Sequence, residues 1–324
     1  MNKTSIEWCI RPETRGADGA RTWNPIRARL KGASPKAHSG TFCTRISPGC
    51  QHCYASTINK RFGNGLEFTV PNLSKIEFFV DERILDEPRR QRNPCTIFVG
   101  DMFDLFHEAI PTDLIVQVFR AICVSDLRHT FQILTKRAAR MKEFFSGWSS
   151  YTRDWGPLYP YTWPRPNIWI GVSVEDQKRA DERIPLLLQT PAAVRFLSVE
   201  PQLEAVDLEN LPSASGIGRY LNCLSNAGVD PGADIPSKID WVICGGESGP
   251  GARPFNLAWA ESLLAQCDAA NIPFFMKQIG SRPIWPEQNI TLIIPGNSKG
   301  GDPSEWPAHL RVREFPKVQE AVTA

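Results

Sequence analysis

Nowhere does the chain carry an apolar run approaching the ~20 residues that a membrane span needs, which excludes a transmembrane helix. Its first residues, MNKTSIEWCIRPETRG, lack the apolar core of a secretory signal, so the expected compartment is the cytoplasm and no membrane partner is expected. There is neither a sequence repeat nor a low-complexity tract. At 42% hydrophobic and 22% charged, the composition excludes wholesale disorder. Histidines do not cluster at the expected strand ends. That weighs against a metal-dependent hydrolase built on Asp101, Glu200 and Glu247.

Cysteine is present in an odd number, nine, and in a reducing compartment these do not read as a disulfide framework. Cys9, Cys95, Cys123, Cys223, Cys244 and Cys267 are scattered among apolar neighbours and read as small core residues. Cys43, Cys50 and Cys53 fall within eleven residues. The net charge of +2 hides an asymmetry: residues 1–75 carry twelve Lys/Arg against four Asp/Glu, and residues 76–324 carry 25 against 31. The excess surrounds the three cysteines and includes Arg27, Arg29, Lys31, Lys36 and Arg45. A basic mouth would attract a polyanion or a phosphorylated substrate; the plainer reading is a solvated basic face.

From residue 75 onward one theme recurs: a short apolar, β-rich run ends in polar residues and leads into a helical pattern. The runs are KIEFFV (75–80), TIFVG (96–100), TFQIL (130–134), NIWIGV (167–172), VRFLSV (194–199), DWVICGG (240–246) and IPFFMK (272–277), with a further candidate strand near residues 6–8. Amphipathic helices are expected over 112–125, 173–189 and 255–271, the last closed by Asn271. The expected fold is α/β, a parallel (β/α) barrel or partial barrel of TIM type, over residues 1–280. A C-terminal extension, 281–324, would pack on it and include a hairpin around 289–294. Residues 27–41, 146–166 and 205–238 read as loop insertions.

In a parallel barrel, functional residues collect at the C-terminal ends of the strands. Here those ends carry Asp101 and Asp104, Thr135 to Arg137 with Lys136 between them, Ser173 and Glu175, Ser198 and Glu200, Gly245 to Ser248, and Lys277 and Gln278. One charged, hydrogen-bonding pocket is expected from them. The segment CTRISPGCQHCYA spaces Cys43, Cys50 and Cys53 as C-x6-C-x2-C, and the short reach of C-x2-C lets two sulfurs face one ion. Spacing alone leaves open an iron–sulfur cluster with one free iron, a zinc completed by His52 or His38, or no metal. The turn CGGESGPGARPF exposes backbone N–H groups beside Glu247, or is a tight turn after a buried strand.

Taken together, KTSIEW (3–8), TWNP (22–25), CTRISPGCQHCYA (43–55), DLFHE (104–108), FQILTKR (131–137), GVSVEDQKRADERIPLL (171–187), RFLSVEPQL (195–203) and WVICGGESGPGARP (241–254) resemble a widespread phage and prophage family known only as a domain of unknown function. That family is in turn similar to the radical-SAM superfamily, with spore photoproduct lyase as a near analogue. The resemblance implies a partial barrel and a [4Fe–4S] cluster on Cys43, Cys50 and Cys53. It also implies S-adenosylmethionine at the unique iron and an electron donor such as flavodoxin or ferredoxin. Gly245, Gly246 and Glu247 resemble the SAM-contacting Gly-Gly-Glu, and Lys136, Ser173 and Glu200 join them as candidate cofactor-binding residues. The first cysteine gap is six residues where the superfamily has three, the Gly-Gly-Glu lies far downstream, and 27–41 is an insertion relative to the nearer family.

The expected function is therefore reductive SAM cleavage and radical chemistry on a substrate of unknown identity, a nucleic acid or nucleotide being the candidate. The alternative is a non-catalytic, zinc-containing nucleic-acid-binding phage protein. Trp148, Trp155 and Trp163 could stack on an extruded base or pack onto the scaffold.

Overall fold

Continuous apolar runs buried on both faces become the strands of the parallel sheet, and alternation of apolar and charged residues marks the half-buried strand at 26–30. The computed structural model describes residues 1–12, 19–34, 37–155, 163–212, 220–225, 238–285, 290–291 and 299–317. The chain divides into two compact units, Met1–Trp169 and Ile170–Ala324.

The first unit runs β1 (Asn2–Lys3), β2 (Ala20–Trp23), β3 (Ile26–Leu30), α1 (Tyr54–Phe62), α2 (Val70–Leu73), β4 (Ile76–Val80), α3 (Glu82–Leu85), α4 (Glu87–Arg90), β5 (Thr96–Val99), α5 (Thr112–Cys123), β6 (Thr130–Thr135), α6 (Ala138–Ser146) and α7 (Trp148–Thr152). β7 (Ile168–Ser173) starts at its end. The strand order is β1-β2-β5-β6. β2, β5 and β6 are parallel, with Trp23 opposite Val99 and Val99 opposite Ile133, so the residues that follow β5 and β6 leave the sheet at one edge. Ile97, Val99, Phe131 and Ile133 are buried, and α5 contributes Ile115, Val118, Phe119 and Ile122 to the same core.

Two expectations are corrected here. Residues 6–8 form no strand: Glu7–Cys9 is a 3-10 turn that buries Trp8 against Phe98, with ring centroids 4.8 Å apart. The basic segment 27–41 is not all loop, because in IRARL the apolar Ile26 and Ala28 alternate with Arg27 and Arg29, and the two apolar side chains are buried. This strand pairs antiparallel with β4, Ile26 opposite Val80 and Leu30 opposite Ile76. KIEFFV is therefore a strand, but one spent on a hairpin. In the 146–166 stretch, Trp148 and Trp163 pack inward: Trp163 stacks on Phe145 at 4.3 Å, and Trp148 lies against Phe119 at 5.6 Å. Trp155 contacts Trp148 at 5.8 Å. Residues 156–162 lie outside the described residues.

The second unit continues with α8 (Gln177–Leu188), β8 (Val194–Val199), β9 (Leu211–Pro212), β10 (Tyr220–Leu221), β11 (Trp241–Gly245), β12 (Phe255–Asn256), α9 (Leu257–Ala270), β13 (Phe274–Gln278), β14 (Pro283–Trp285) and β15 (Ile290–Thr291). Its strand order is β7-β8-β11-β13, with β8, β11 and β13 parallel. Asp176 caps α8 by accepting from Arg179 N, and Asn256 caps α9 by accepting from Ala258 N. Asn271 ends α9 in the left-handed region at φ 53°, where its short polar side chain is tolerated. Residues 299–317 return to β13, Met276 N donating to Val312 O at 2.8 Å and Glu314 N to Phe274 O at 2.9 Å. Within 289–294, Ile290 and Thr291 pair with β14; residues 289 and 292–294 are not among those described. Most of the 205–238 insertion is likewise outside them.

The chain is thus α/β, with a mostly parallel sheet in each unit, β1-β2-β5-β6 in the first and β7-β8-β11-β13 in the second, and in neither unit does the sheet close on itself. The run KIEFFV, expected among the parallel strands, is not one of them, since β4 pairs antiparallel with β3.

Candidate metal centre and the polar strand ends

In the first unit the turn after β5 and the end of β6 converge on the cysteine loop. Phe106 N donates to Asp104 Oδ1 at 3.1 Å, Thr135 Oγ1 donates to the same oxygen at 2.6 Å, and Lys136 N donates to Oδ2 at 2.9 Å. So tied, the Asp104 carboxylate faces the Arg137 guanidinium, whose Nη1 lies 3.2 Å from Oδ2. Arg137 also donates through Nε to Glu108 at 2.7 Å and through Nη2 to the carbonyl and hydroxyl of Thr44 at 3.1 and 3.0 Å. Its Nη1 is 3.6 Å from Cys43 Sγ. The Arg137 side chain is 2% exposed. A guanidinium this buried is kept only because every face has an acceptor.

This network sets the electrostatics of the loop. Burial pushes the Cys43 thiol up to about 12; Arg137 works against that, while Asp104, Cys50 and Cys53 add to it. His107, whose Nε2 is 2.9 Å from Thr44 Oγ1, is held down to about 4 by burial and then by Arg137. Cys43, Cys50 and Cys53 are all partly exposed, and Cys43 and Cys53 pack beside the small core of Ala28, Phe42, Ala55, Phe68 and Ile76. Ser47 Oγ is 3.7 Å from Cys50 Sγ. Among the described residues, no three His, Cys, Asp or Glu side chains stand as a group that could hold a metal ion. The donor set suits a thiophilic centre in kind, but its sulfurs are not already drawn around one. His38 Nε2 is engaged with Phe62 O at 2.8 Å.

In the second unit the strand ends form separate pairs. Glu200 meets Lys277, Oε1 to Nζ at 3.0 Å, with Ser198 Oγ 3.4 Å from Oε2. Gly245 lies so close that an added Cβ would come within 2.7 Å of Glu200 Oε1. Glu247 receives two donors from the Arg253 side chain, at 2.7 and 2.9 Å, and Arg253 N at 2.9 Å. Ser173 and Glu175 are buried; Arg183 Nη1 donates to Ser173 O at 2.7 Å and to Glu175 Oε2 at 2.8 Å. Gln278 Nε2 donates to Gly246 O at 2.8 Å, bracing the glycine turn from within. Asp101 belongs to the first unit, where Asn24 Nδ2 donates to it at 2.6 Å and burial raises its carboxyl above the usual range.

Sequence reasoning named Arg137 only as one polar residue at a strand end and missed its contact with Cys43; Thr44, His107 and Glu108 were given no role. The readable signal was DLFHE, an Asp three residues before a His in a tight turn, with Thr-Lys-Arg ending the next strand. The six scattered cysteines are all buried, as their apolar neighbours predicted.

Fold and site together define an α/β protein whose N-terminal half carries a three-cysteine loop anchored on a buried Arg–Asp network. A family described as a protein of unknown function, DUF5131, matches residues 33–300, and the chain belongs to that family. No curated protein and no solved structure matches it.

Proposed function

We propose that Cys43, Cys50 and Cys53 hold a metal centre, and that this centre is a three-cysteine iron–sulfur cluster of radical-SAM type. The observation that carries the reading is the Arg137 guanidinium 3.6 Å from Cys43 Sγ, on a loop whose three cysteines are all partly exposed. A cation fixed beside a thiolate stabilises the ligand form of the sulfur, and partners in the second shell of this kind orient a ligand and tune what it binds. On loading, the loop has to draw Cys50 and Cys53 toward Cys43. An open, mostly parallel α/β sheet is compatible with the partial barrel this reading calls for.

When bound, such a cluster would supply an electron for the reductive cleavage of S-adenosylmethionine. The chain's own contribution is to hold Cys43 in place through Arg137 and Asp104 and to keep Thr44 and neutral His107 packed behind it. The Glu200–Lys277 pair, with Gly245 leaving space beside the carboxylate, is our candidate for a zwitterionic ligand such as SAM. Glu247 is a weaker one, because Arg253 already takes both its oxygens. The uncompensated positive charge of residues 1–75 favours an anionic substrate.

Anaerobically purified protein tests this by visible absorption and by iron, sulfide and zinc content. Cluster absorption lost in Cys43→Ala, Cys50→Ala and Cys53→Ala, but kept in Cys123→Ala and Cys267→Ala, is the expected result. A colourless protein carrying zinc would overturn the cluster and favour a structural site in a binding protein. A loaded, reduced protein that neither binds nor cleaves SAM would overturn the radical-SAM part alone.

A further inference from the structure

α1 follows Cys53 directly and presents its apolar residues outward. Tyr54, Ile58 and Phe62, spaced i, i+4 and i+8 on one face, are 53%, 42% and 65% exposed, while Ala55, Ser56 and Asn59 are buried. Among the described residues, six of the eight exposed large hydrophobics fall between residues 30 and 70: these three with Leu30, Ile46 and Val70. Three exposed apolar side chains on one helix face mark a contact surface, where singly scattered ones would not.

The surroundings are basic. Arg61 lies over the Phe62 ring at 4.9 Å. His38 Nε2 on Phe62 O at 2.8 Å, and Asn64 Nδ2 on both Ala28 O and Thr41 O at 3.3 Å, fasten the end of β3 and the segment after it to the C-terminal end of α1. Gly40 sits so near α1 that a Cβ would overlap Asn59 Oδ1, at 2.0 Å. The acidic residues of this region are matched: Glu67 by Lys60 at 2.6 Å and Glu77 by Arg29 at 2.5 Å. Arg27 is turned to Ser39 O at 2.7 Å. Exposed Lys31, Arg45 and Arg61 remain to give the surface its sign.

We propose that this face of α1, with the basic turn beside it, binds single-stranded nucleic acid. Positive charge calls for a polyanion, and an aromatic–aliphatic stripe calls for flat apolar faces. A single strand offers both, whereas a duplex keeps its bases stacked on one another. Because the stripe begins at Tyr54, whose hydroxyl is fixed to Asp101 O at 2.7 Å, a strand laid along α1 leads to the cysteine loop. That last step rests on the proposed metal centre; the binding does not.

The full chain, with iron and without it, is titrated into a labelled oligo-dT and a duplex of the same length at two salt concentrations. Tighter binding to the single strand is expected, with Phe62→Ala weakening it about tenfold, since aromatic stacking contributes about 1–3 kcal/mol per base, and Ile58→Ala weakening it by less through lost apolar contact. Arg61→Gln should flatten the salt slope by about 0.7. All three sites are exposed, so folding is checked simply by an unchanged thermal melt. Equal affinity for duplex, no binding, or binding unaffected by the three substitutions overturns the proposal. So does a dimer that Phe62→Ala dissociates in a protein that binds no strand, because the face would then be a self-interface. A protein that takes up no iron on anaerobic loading but binds the strand normally sinks the metal centre and leaves this inference standing.

Discussion

Arg137 is where the cysteine loop meets the sheet, and its chemistry is local. Replacing it with Met leaves the nearly buried Asp104 carboxylate without its cation; a loss of about 3–5 kcal/mol in chemical denaturation is expected. Arg137→Lys should recover part of it, since an ammonium keeps the charge but cannot reach Asp104, Glu108 and Thr44 at once. A loss below about 1 kcal/mol for the Met variant would show that the network contributes little. His107 sets a pH dependence with a definite sign. Its folded value, about 4, lies below its unfolded 6.5, so between those limits the unfolded chain binds a proton the folded one refuses. Stability should therefore fall as pH drops from 6.5 to 4, by roughly 3 kcal/mol from this residue alone. His107→Gln should flatten that stretch of the stability–pH curve, and an unchanged slope would contradict it.

At the scale of elements, the glycine turn after β11 separates packing from chemistry. A Cβ on Gly246 would meet Ile279 O at 2.8 Å and the Phe255 ring at 2.9 Å, both fixed; on Gly245 it would meet the end of the Glu200 side chain, which can move. Gly246→Ala should then lower stability by about 1–3 kcal/mol and Gly245→Ala by clearly less, measured by thermal or urea unfolding. The reverse order would mean that the partly buried Glu200–Lys277 pair cannot move aside. β5, β6, β7, β8, β11 and β13 were legible because both faces are buried and their sequences are continuous apolar runs. β3 was not, because arginines at alternate positions made a half-buried strand look like a basic loop. Trp8 misled in the opposite way: it is buried from a 3-10 turn, packed against Phe98, and not by strand periodicity.

At the scale of the molecule, nine cysteines divide into two populations. Six are buried and three are partly exposed. Alkylation of native protein at neutral pH should label Cys50 and Cys53 first and Cys43 slowly, because burial holds the Cys43 thiol up near 12 and only the thiolate reacts. Peptide mapping before and after unfolding should find the other six labelled only in denaturant. Early labelling of Cys123 or Cys244 would contradict their place in the core. Metal loading should protect Cys43, Cys50 and Cys53 together.

The sequence by itself determined the α/β class, six strands of the parallel sheet (β5, β6, β7, β8, β11 and β13, but not β2), the separation of three cysteines from six and the basic bias of the first quarter, since each is a property of local pattern or composition. Which strand ends are paired internally was decided only in three dimensions. Glu175, Glu247 and Arg137 look alike as charged residues after an apolar run. What distinguishes them is the partner that folding supplies: Arg183 from α8, Arg253 across a turn, and Asp104 with Cys43 from two other loops. Those partners lie at irregular separations along the chain, eight residues for Glu175, six for Glu247 and 33 for Arg137 with Asp104, so no periodicity records them.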